Sequence, residues 1–420
     1  MNEPIELQEL TSGGVTSAAG FKAGGIHSGF RRDPKRFDLA LIEADDVCCA
    51  AGTFTQNAFC AAPVIVSRHH LNDRGSGKVR AVVINSGIAN AATGEKGLTA
   101  AQRTTSIAAD IIGCTDDEVL VASTGVIGKF LPLDPFEEGL PALHSSISSS
   151  EQGGHDAAHA IMTTDTFAKE YAVSWTSHDP AYEGTTFTVG GMVKGSGMIM
   201  PNMATMIAVL TTDAPLSECA AHRALSASVA QSFNRVTVDS DTSTNDTCIL
   251  LASGAAAPKA SSIDVSGCAF DECMAAIKRV CIHLARCIAR DGEGSTKLIT
   301  VTVNGAADDV DANRAARAIA NSPLVKTAVF GHDANWGRIA AALGKSGASF
   351  DQGNVSIDMM GIPVCRNGLA VTFDEDKALK QFEEPEITID ADLGAGSSST
   401  TMWTCDLSHD YIRINGDYRS

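Results

Sequence analysis

Apolar and polar positions along this chain change period several times, and each change marks an element. Residues 79–84 (Val-Arg-Ala-Val-Val-Ile) form a near-continuous apolar run, which predicts a buried strand. The run leads into Asn85-Ser86-Gly87-Ile88-Ala89-Asn90, read as a polar, glycine-bearing loop, and a helix is predicted over 99–112. Further apolar runs predict strands at 118–122, 185–189, 206–210, 247–252 and 298–303. The clearest helix is 271–290, where Met274, Ile277, Cys281, Leu284 and Ile288 recur at helical spacing and Gly292 is a natural stop. Helices are also predicted over 218–233, 313–320 and near 338–343, with an apolar run at 325–330 and several strands out to 411–415. The segment ending in Ala51-Gly52-Thr53-Phe54-Thr55-Gln56-Asn57 reads as short strands and turns. Strands and helices alternate loosely rather than in strict βαβ order. That predicts an α+β fold of packed sheets with helices outside.

Composition narrows the class without naming a function. A chain of 420 residues has room for two domains or one large layered body. Its 44% apolar and 20% charged residues are those of an ordinary globular protein. A formal net charge of −18 argues against nucleic acid or an anionic membrane as the main partner. It leaves a small zwitterionic substrate open, because such a molecule feels only the local site. The acidic start Met1-Asn2-Glu3-Pro4-Ile5-Glu6 lacks the apolar core of a secretory signal. The twelve cysteines include no Cys-x-x-Cys pair, and several, such as Cys281 and Cys287, stand among apolar neighbours. Free thiols in a reducing cytoplasm are expected rather than disulfides or zinc.

The chemistry concentrates in residues 194–213. A glycine-rich entry, Lys194-Gly195-Ser196-Gly197, passes through the turn-forming Pro201-Asn202 into the apolar run that starts at Met206. That run is too short and interrupted to cross a membrane, and by itself reads as a loop feeding a buried strand. Ala204-Thr205 stands at the junction. Small residues and glycines there would let the backbone bend, so that a Thr hydroxyl attacks the carbonyl before it and leaves Thr205 as a new N-terminus. Such a threonine carries its own base, because an α-amine has a reference pKa of ~7.7–8.0 and is partly neutral near neutrality.

Taken alone, the other candidates have ordinary readings. Thr124-Gly125 is a strand-end turn whose hydroxyl and N–H could also face a developing oxyanion. Thr163-Thr164-Asp165-Thr166 fits a helix cap or a tight turn. Lys194 reads as a solvated lysine, or as a point charge for a substrate carboxylate. Glu293 reads as a surface acid beyond a helix end, and Asn415 and Ser420 as part of a frayed tail. Three motifs mislead. Gly344-Lys345-Ser346 mimics the end of a phosphate loop, but Ile339 stands where the first glycine must be. His155 and His159 lack the glutamate of a metalloprotease helix, so a solvated face is expected rather than zinc. Asp333-Ala334-Asn335-Trp336-Gly337-Arg338 is assigned only structural support.

The ordered run Lys194-Gly195-Ser196-Gly197-Met198-Ile199-Met200-Pro201-Asn202-Met203-Ala204-Thr205-Met206 resembles the self-cleavage segment of the ornithine acetyltransferase (glutamate N-acetyltransferase) family of arginine biosynthesis. The likeness extends from Gly14-Val15-Thr16 to the last residue. It implies an α-β-β-α sandwich, cut between Ala204 and Thr205 into intertwined pieces 1–204 and 205–420. Thr205 would be the nucleophile and Thr124 with Gly125 the oxyanion hole. A substrate-binding threonine falls on Thr163, with Thr164 as the alternative. Lys194 and Asn415 would bind substrate, as would Ser420, although Arg419 stands where the family has a small residue. Asp291-Gly292-Glu293-Gly294-Ser295-Thr296-Lys297 resembles the family's acid-bearing segment, which implies that Glu293 meets a substrate ammonium.

The implied reaction is ping-pong. Thr205 takes the acetyl group of N2-acetylornithine, ornithine leaves, and glutamate receives the acetyl from the Thr205 ester. No metal or bound cofactor is implied, and acetyl-CoA as a second donor is left open. A dimer of cleaved protomers, an α2β2 heterotetramer, is expected. Two rivals remain: a hydrolase like the β-peptidyl aminopeptidases, against which a threonine nucleophile argues, and an uncut, non-catalytic scaffold.

Overall fold

Period-2 alternation of apolar residues builds the centre of the molecule, and one long strand organises it. The computed structural model describes residues 5–200 and 206–417. Among these residues the first sheet holds β1 Gln8–Glu9, β2 Phe21–Ile26, β3 Leu39–Phe54, β4 Ser76–Ile88, β5 Val119–Val126, β6 Lys169–Thr176, β7 Thr186–Lys194, β8 Ile207–Thr212 and β9 Thr247–Ala252. The second holds β10 Leu298–Ala306, β11 Ser356–Met359, β12 Ile362–Arg366, β13 Leu369–Ala370, β14 Glu386–Asp392 and β15 Ser398–Cys405. The helices are α1 Ala62–His70, α2 Gly94–Ile112, α3 Asp134–Ser146, α4 Glu151–Ala160, α5 Glu218–Ala230, α6 Cys268–Arg290, α7 Asp309–Ala320, α8 Pro323–Phe330, α9 Trp336–Gly344, α10 Glu375–Gln381 and α11 His409–Asp417.

The first sheet runs β1-β6-β7-β8-β9-β3-β4-β5, with β2 also on β3. The N-terminal half of β3 pairs with β2 and β4, and Cys49–Phe54 pairs with β9. Between Glu43 and Cys48 the register against β4 shifts, which lets β3 bend and the sheet fold back on itself. Because side chains alternate across a strand, Ala40 and Ile42 then face inward against Val209 and Leu251 in one shared core. Their neighbours Leu39 and Leu41 face outward onto α2 and α3. On the other side, Val173, Leu210 and Leu250 face α5 and α6. The layers are helix, sheet, sheet, helix, as expected.

The second sheet, in the order β13-β12-β11-β14-β10-β15, packs its own core under α7 and α9. Leu298 of β10 and Trp403 and Cys405 of β15 turn the other way, into the core beneath α6. This joins the C-terminal sheet to the main body.

Several elements differ from the sequence reading. The first part of the chain holds a 16-residue strand, β3, rather than only short ones. Asn85 to Ile88 is no loop: it continues β4, paired in parallel with Ser123–Val126, so Thr124-Gly125 lies within the end of β5. Polar residues take strand geometry there because the partner strand supplies the ladder. The 325–330 run is helical, and the terminal strand expected at 411–415 is α11. Of the predicted stripe of α6, Ile277, Cys281, Leu284 and Ile288 are buried, and Met274 is partly buried against the same core. All twelve cysteines are free thiols.

Candidate functional site

The parallel ends of β4 and β5 make one wall. Gly125 pairs with Gly87 and takes φ +128, and a Cβ on it would stand 2.3 Å from the Gly87 carbonyl carbon, so only glycine fits. Thr124 beside it is 5% exposed. Beside this wall, and itself lining the cleft, Asn245 donates from its amide nitrogen to the carbonyl oxygens of Ala89 (2.6 Å) and Ser123 (2.8 Å).

Lys194 ends β7, in register with Ile207 of β8. It is not the solvated loop lysine the sequence suggested, for it is 2% exposed. Among the described residues its ammonium forms no hydrogen bond and no ion pair. Burial pushes its pKa down, and the charges of Asp165 and Glu293 work against that.

Asp165 gathers the loop that carries Thr163. Its carboxylate accepts the N–H of Thr163 (2.9 Å) and of Gly195 (2.7 Å) and the ammonium of Lys169 (2.6 Å). Lys169 also pairs with Asp291, whose carboxylate accepts the N–H of Thr166 at 3.0 Å. Burial alone would raise the Asp165 pKa, but Lys194 and Lys169 outweigh it and hold the carboxyl below its ordinary value. The carbonyl of Asp291, just past α6, accepts the Ser196 hydroxyl at 2.6 Å. One buried ionic group thus ties the end of α6 to the Thr163 loop and to the glycine entry after β7.

Glu293 follows two residues later. Its N–H donates to the Ser196 carbonyl (3.0 Å), and its Oε2 accepts from Nδ2 of Asn415 on α11 at 2.8 Å. A Cβ on Gly197 would lie 2.4 Å from the Glu293 carboxyl carbon, so the glycine entry is what lets the two loops close on each other.

These segments enclose a cleft of ≈ 450 Å³, and Thr124, Gly125, Thr163, Lys194, Glu293 and Asn415 all line it. Thr164, the alternative to Thr163, lines it too, while Ala89, Val126, Ile127 and Met198 give it an apolar side. Ala204, Thr205 and Ser420 lie outside the described residues. The chain beyond Thr205 resumes at Met206, whose N–H donates to Oδ1 of Asp246 at 3.1 Å. Asp246 is 0% exposed, and burial pushes its pKa well up, although the Met206 N–H and the Lys194 charge pull the other way. Upstream, Asp239 accepts the N–H groups of Met198 and Ile199 at 2.6 and 2.8 Å.

Sequence reasoning missed Asp165, Lys169, Asp291 and the run 239–246. The run's density of Asp, Ser, Thr and Asn just before an apolar strand was the available signal. Of the misleading motifs, Gly344-Lys345-Ser346 is the end of α9, and Asn335 caps α9 by accepting the Arg338 N–H. His155 and His159 stand on α4 facing each other at 3.1 Å between Nε2 atoms. Among the described residues no group of three or more His, Cys, Asp or Glu side chains is placed to hold a metal ion. No described helix is long and apolar enough to cross a membrane.

Known proteins are similar to this chain over nearly its whole length. The model of the ArgJ family matches residues 22–420. The Arginine biosynthesis bifunctional protein ArgJ of Symbiobacterium thermophilum is 47% identical, with 98% of this chain and 100% of that protein covered. The chloroplastic protein of that name from Sorghum bicolor is 44% identical over 97% of this chain and 87% of its own. Among solved structures, a chain of ornithine acetyltransferase complexed with ornithine from Mycobacterium tuberculosis aligns at 35% identity and a TM-score of 0.42. It covers 48% of this chain and 100% of its own length.

Proposed function

This chain belongs to the ArgJ family, and on that premise we propose that it is an acetyltransferase of arginine biosynthesis moving the acetyl group of N2-acetyl-L-ornithine to L-glutamate. The observation that carries the reading is the single cleft lined by Thr124, Gly125, Thr163, Lys194, Glu293 and Asn415. These residues come from five distant segments, and the chain enters β8 beside them, two residues after Thr205.

In this reading the chain cuts itself between Ala204 and Thr205, and the freed α-amine is the base for the Thr205 hydroxyl. The hydroxyl attacks the N-acetyl carbonyl, Thr124 and Gly125 stabilise the oxyanion, and ornithine leaves as the free amine. Glutamate then takes the acetyl group from the ester, which returns Thr205 to its hydroxyl form. Lys194, buried and without a direct partner among the described residues, suits a substrate carboxylate. Glu293 suits the α-ammonium shared by ornithine and glutamate. Acetyl-CoA serves as a second donor to the same threonine, in keeping with the word bifunctional in the relatives' names. No metal or bound cofactor has a step to perform.

The pieces 1–204 and 205–420 would not drift apart. β8 and β9, from the second piece, lie between β7 and β3, from the first. A two-fold pair of cut protomers, α2β2, is the assembly proposed.

Intact mass and N-terminal sequencing of the purified protein beside a Thr205→Ala variant test the cut. Two fragments, one beginning at Thr205, are expected from the parent and one intact chain from the variant. Assays with N2-acetylornithine or acetyl-CoA as donor then separate the activities. Faster loss of acetyl to water than to glutamate would favour the hydrolase, and a persistently intact parent chain would overturn the mechanism.

A further inference from the structure

Asn245 and Asp246 are consecutive, and their side chains hold different segments beside the cleft, Asn245 the ends of β4 and β5 and Asp246 the start of β8. The Asn245 amide donates to Ala89 O and Ser123 O, the second being the carbonyl just before Thr124. Its two N–H donors are thereby used, and its oxygen accepts from the Thr244 hydroxyl at 2.6 Å. It lines the cleft with no donor left for a substrate. Asp246 accepts the Met206 N–H through Oδ1, while its buried Oδ2 has no partner among the described residues. The next residue, Thr247, donates its N–H to the Met206 carbonyl at 3.0 Å, so both backbone groups of Met206 are held. The run is itself anchored: Thr55 donates its N–H to Asp246 O (2.9 Å), Ala61 its N–H to Thr244 O (2.9 Å), and Thr55 its hydroxyl to Ser243 O (2.6 Å).

We propose that Asn245 and Asp246 are paired positioning residues that set the separation between the Thr124-Gly125 strand end and the residue following Thr205. The proposal rests on Thr205 being the nucleophile. Neither side chain reacts: Asn245 acts through the Ser123 carbonyl, and Asp246 through the Met206 N–H. Two anchors on adjacent residues leave little slack between nucleophile and oxyanion donors. Slack of that kind is costly, since misplacement by about 1 Å lowers rate on the order of 10²-fold.

The test uses the full-length protein and the variants Asn245→Asp, Asn245→Ala, Asp246→Ala and Asp246→Asn. Each is followed for the fragment beginning at Thr205, for kcat and KM in acetyl transfer to glutamate, and for its melting midpoint. Asn245→Asp sets a carboxylate against two carbonyl oxygens, and Asn245→Ala leaves them unpaired without adding a charge. Both are expected to lower kcat at least ~10-fold with KM within about threefold of the parent. Asp246→Ala is expected to lose as much, and Asp246→Asn, which keeps an acceptor for the Met206 N–H, to recover at least ~10-fold of that loss. Variants that melt lower yet keep kcat within threefold overturn the proposal, and so does Asp246→Asn performing no better than Asp246→Ala. An uncut parent chain overturns the Thr205 reading and this proposal with it, whereas a cut, active parent with unaffected variants overturns the proposal alone.

Discussion

Asn415 donates its side-chain amide to Oε2 of Glu293 at 2.8 Å, across 122 residues of sequence, so α11 and the loop after α6 form one wall of the cleft. Hydrogen bonds to a charged group contribute about 1.5–3 kcal/mol. Asn415 lies at an exposed edge, so Asn415→Ala is expected to raise the KM for glutamate about tenfold, the low end of that range, with kcat little changed. Glu293→Gln removes the charge and is expected to raise KM further. Steady-state kinetics with glutamate varied checks both, and unchanged KM values would remove Glu293 and Asn415 from substrate recognition.

Gly197→Ala places a methyl group 2.4 Å from the Glu293 carboxyl carbon, a distance real Cβ contacts do not reach. Either the carboxylate or the entry loop must move. A loss of kcat/KM of at least ~10-fold is expected, in line with the cost of small displacements at a reacting centre. Gly344→Ala, with nothing within 4 Å of its added Cβ, is the control and is expected to keep full activity. Equal activities in the two variants would refute the close approach.

Lys169 is fully buried between Asp165 and Asp291, whose side chains are 0% and 3% exposed. Lys169→Met leaves two carboxylates buried without their cation, and breaking such a pair costs about 3–5 kcal/mol. Denaturant unfolding is the measurement. Adding Asp165→Asn to Lys169→Met is expected to return part of the loss, because one of the uncompensated charges is gone. A Lys169→Met variant as stable as the parent would contradict this account.

Asp246 gives a pH dependence with a definite sign. Unfolded, its carboxyl titrates near the ordinary 3.8, whereas in the fold burial raises it well above that value. The folded state therefore holds the proton more tightly. Its contribution to stability is fully present below about pH 3.8 and is lost as pH rises through the raised folded value. Asp246→Asn removes that titration. The stability of the variant relative to the parent is thus expected to increase as pH goes from about 4 to about 8. Urea midpoints of both proteins across that interval decide it, and a pH-independent gap would show that Asp246 does not titrate abnormally.

Local pattern carried much of this far in the sequence. The strand at 247–252 and the stripe of α6 follow from period alone, because each is a property of neighbouring residues. The order of residues around Thr205 was enough for the family resemblance and its site residues, six of which the fold brings to one cleft. Lys194 shows where local reading stops. Beside glycines it looks solvated, and only the packing of β7 against β8 buries it. Asn85 to Ile88 looked like a loop until β5 supplied a ladder. The Asp165–Lys169–Asp291 group joins positions more than a hundred residues apart, as do Asn245 with Ser123 and Asn415 with Glu293. Periodicity and motif order are written between near neighbours, so the chain alone determined most of the elements and the family. Which charges lose their water, and which polar atoms then need one another, depends on distances between remote segments, and only the folded sheet sets those.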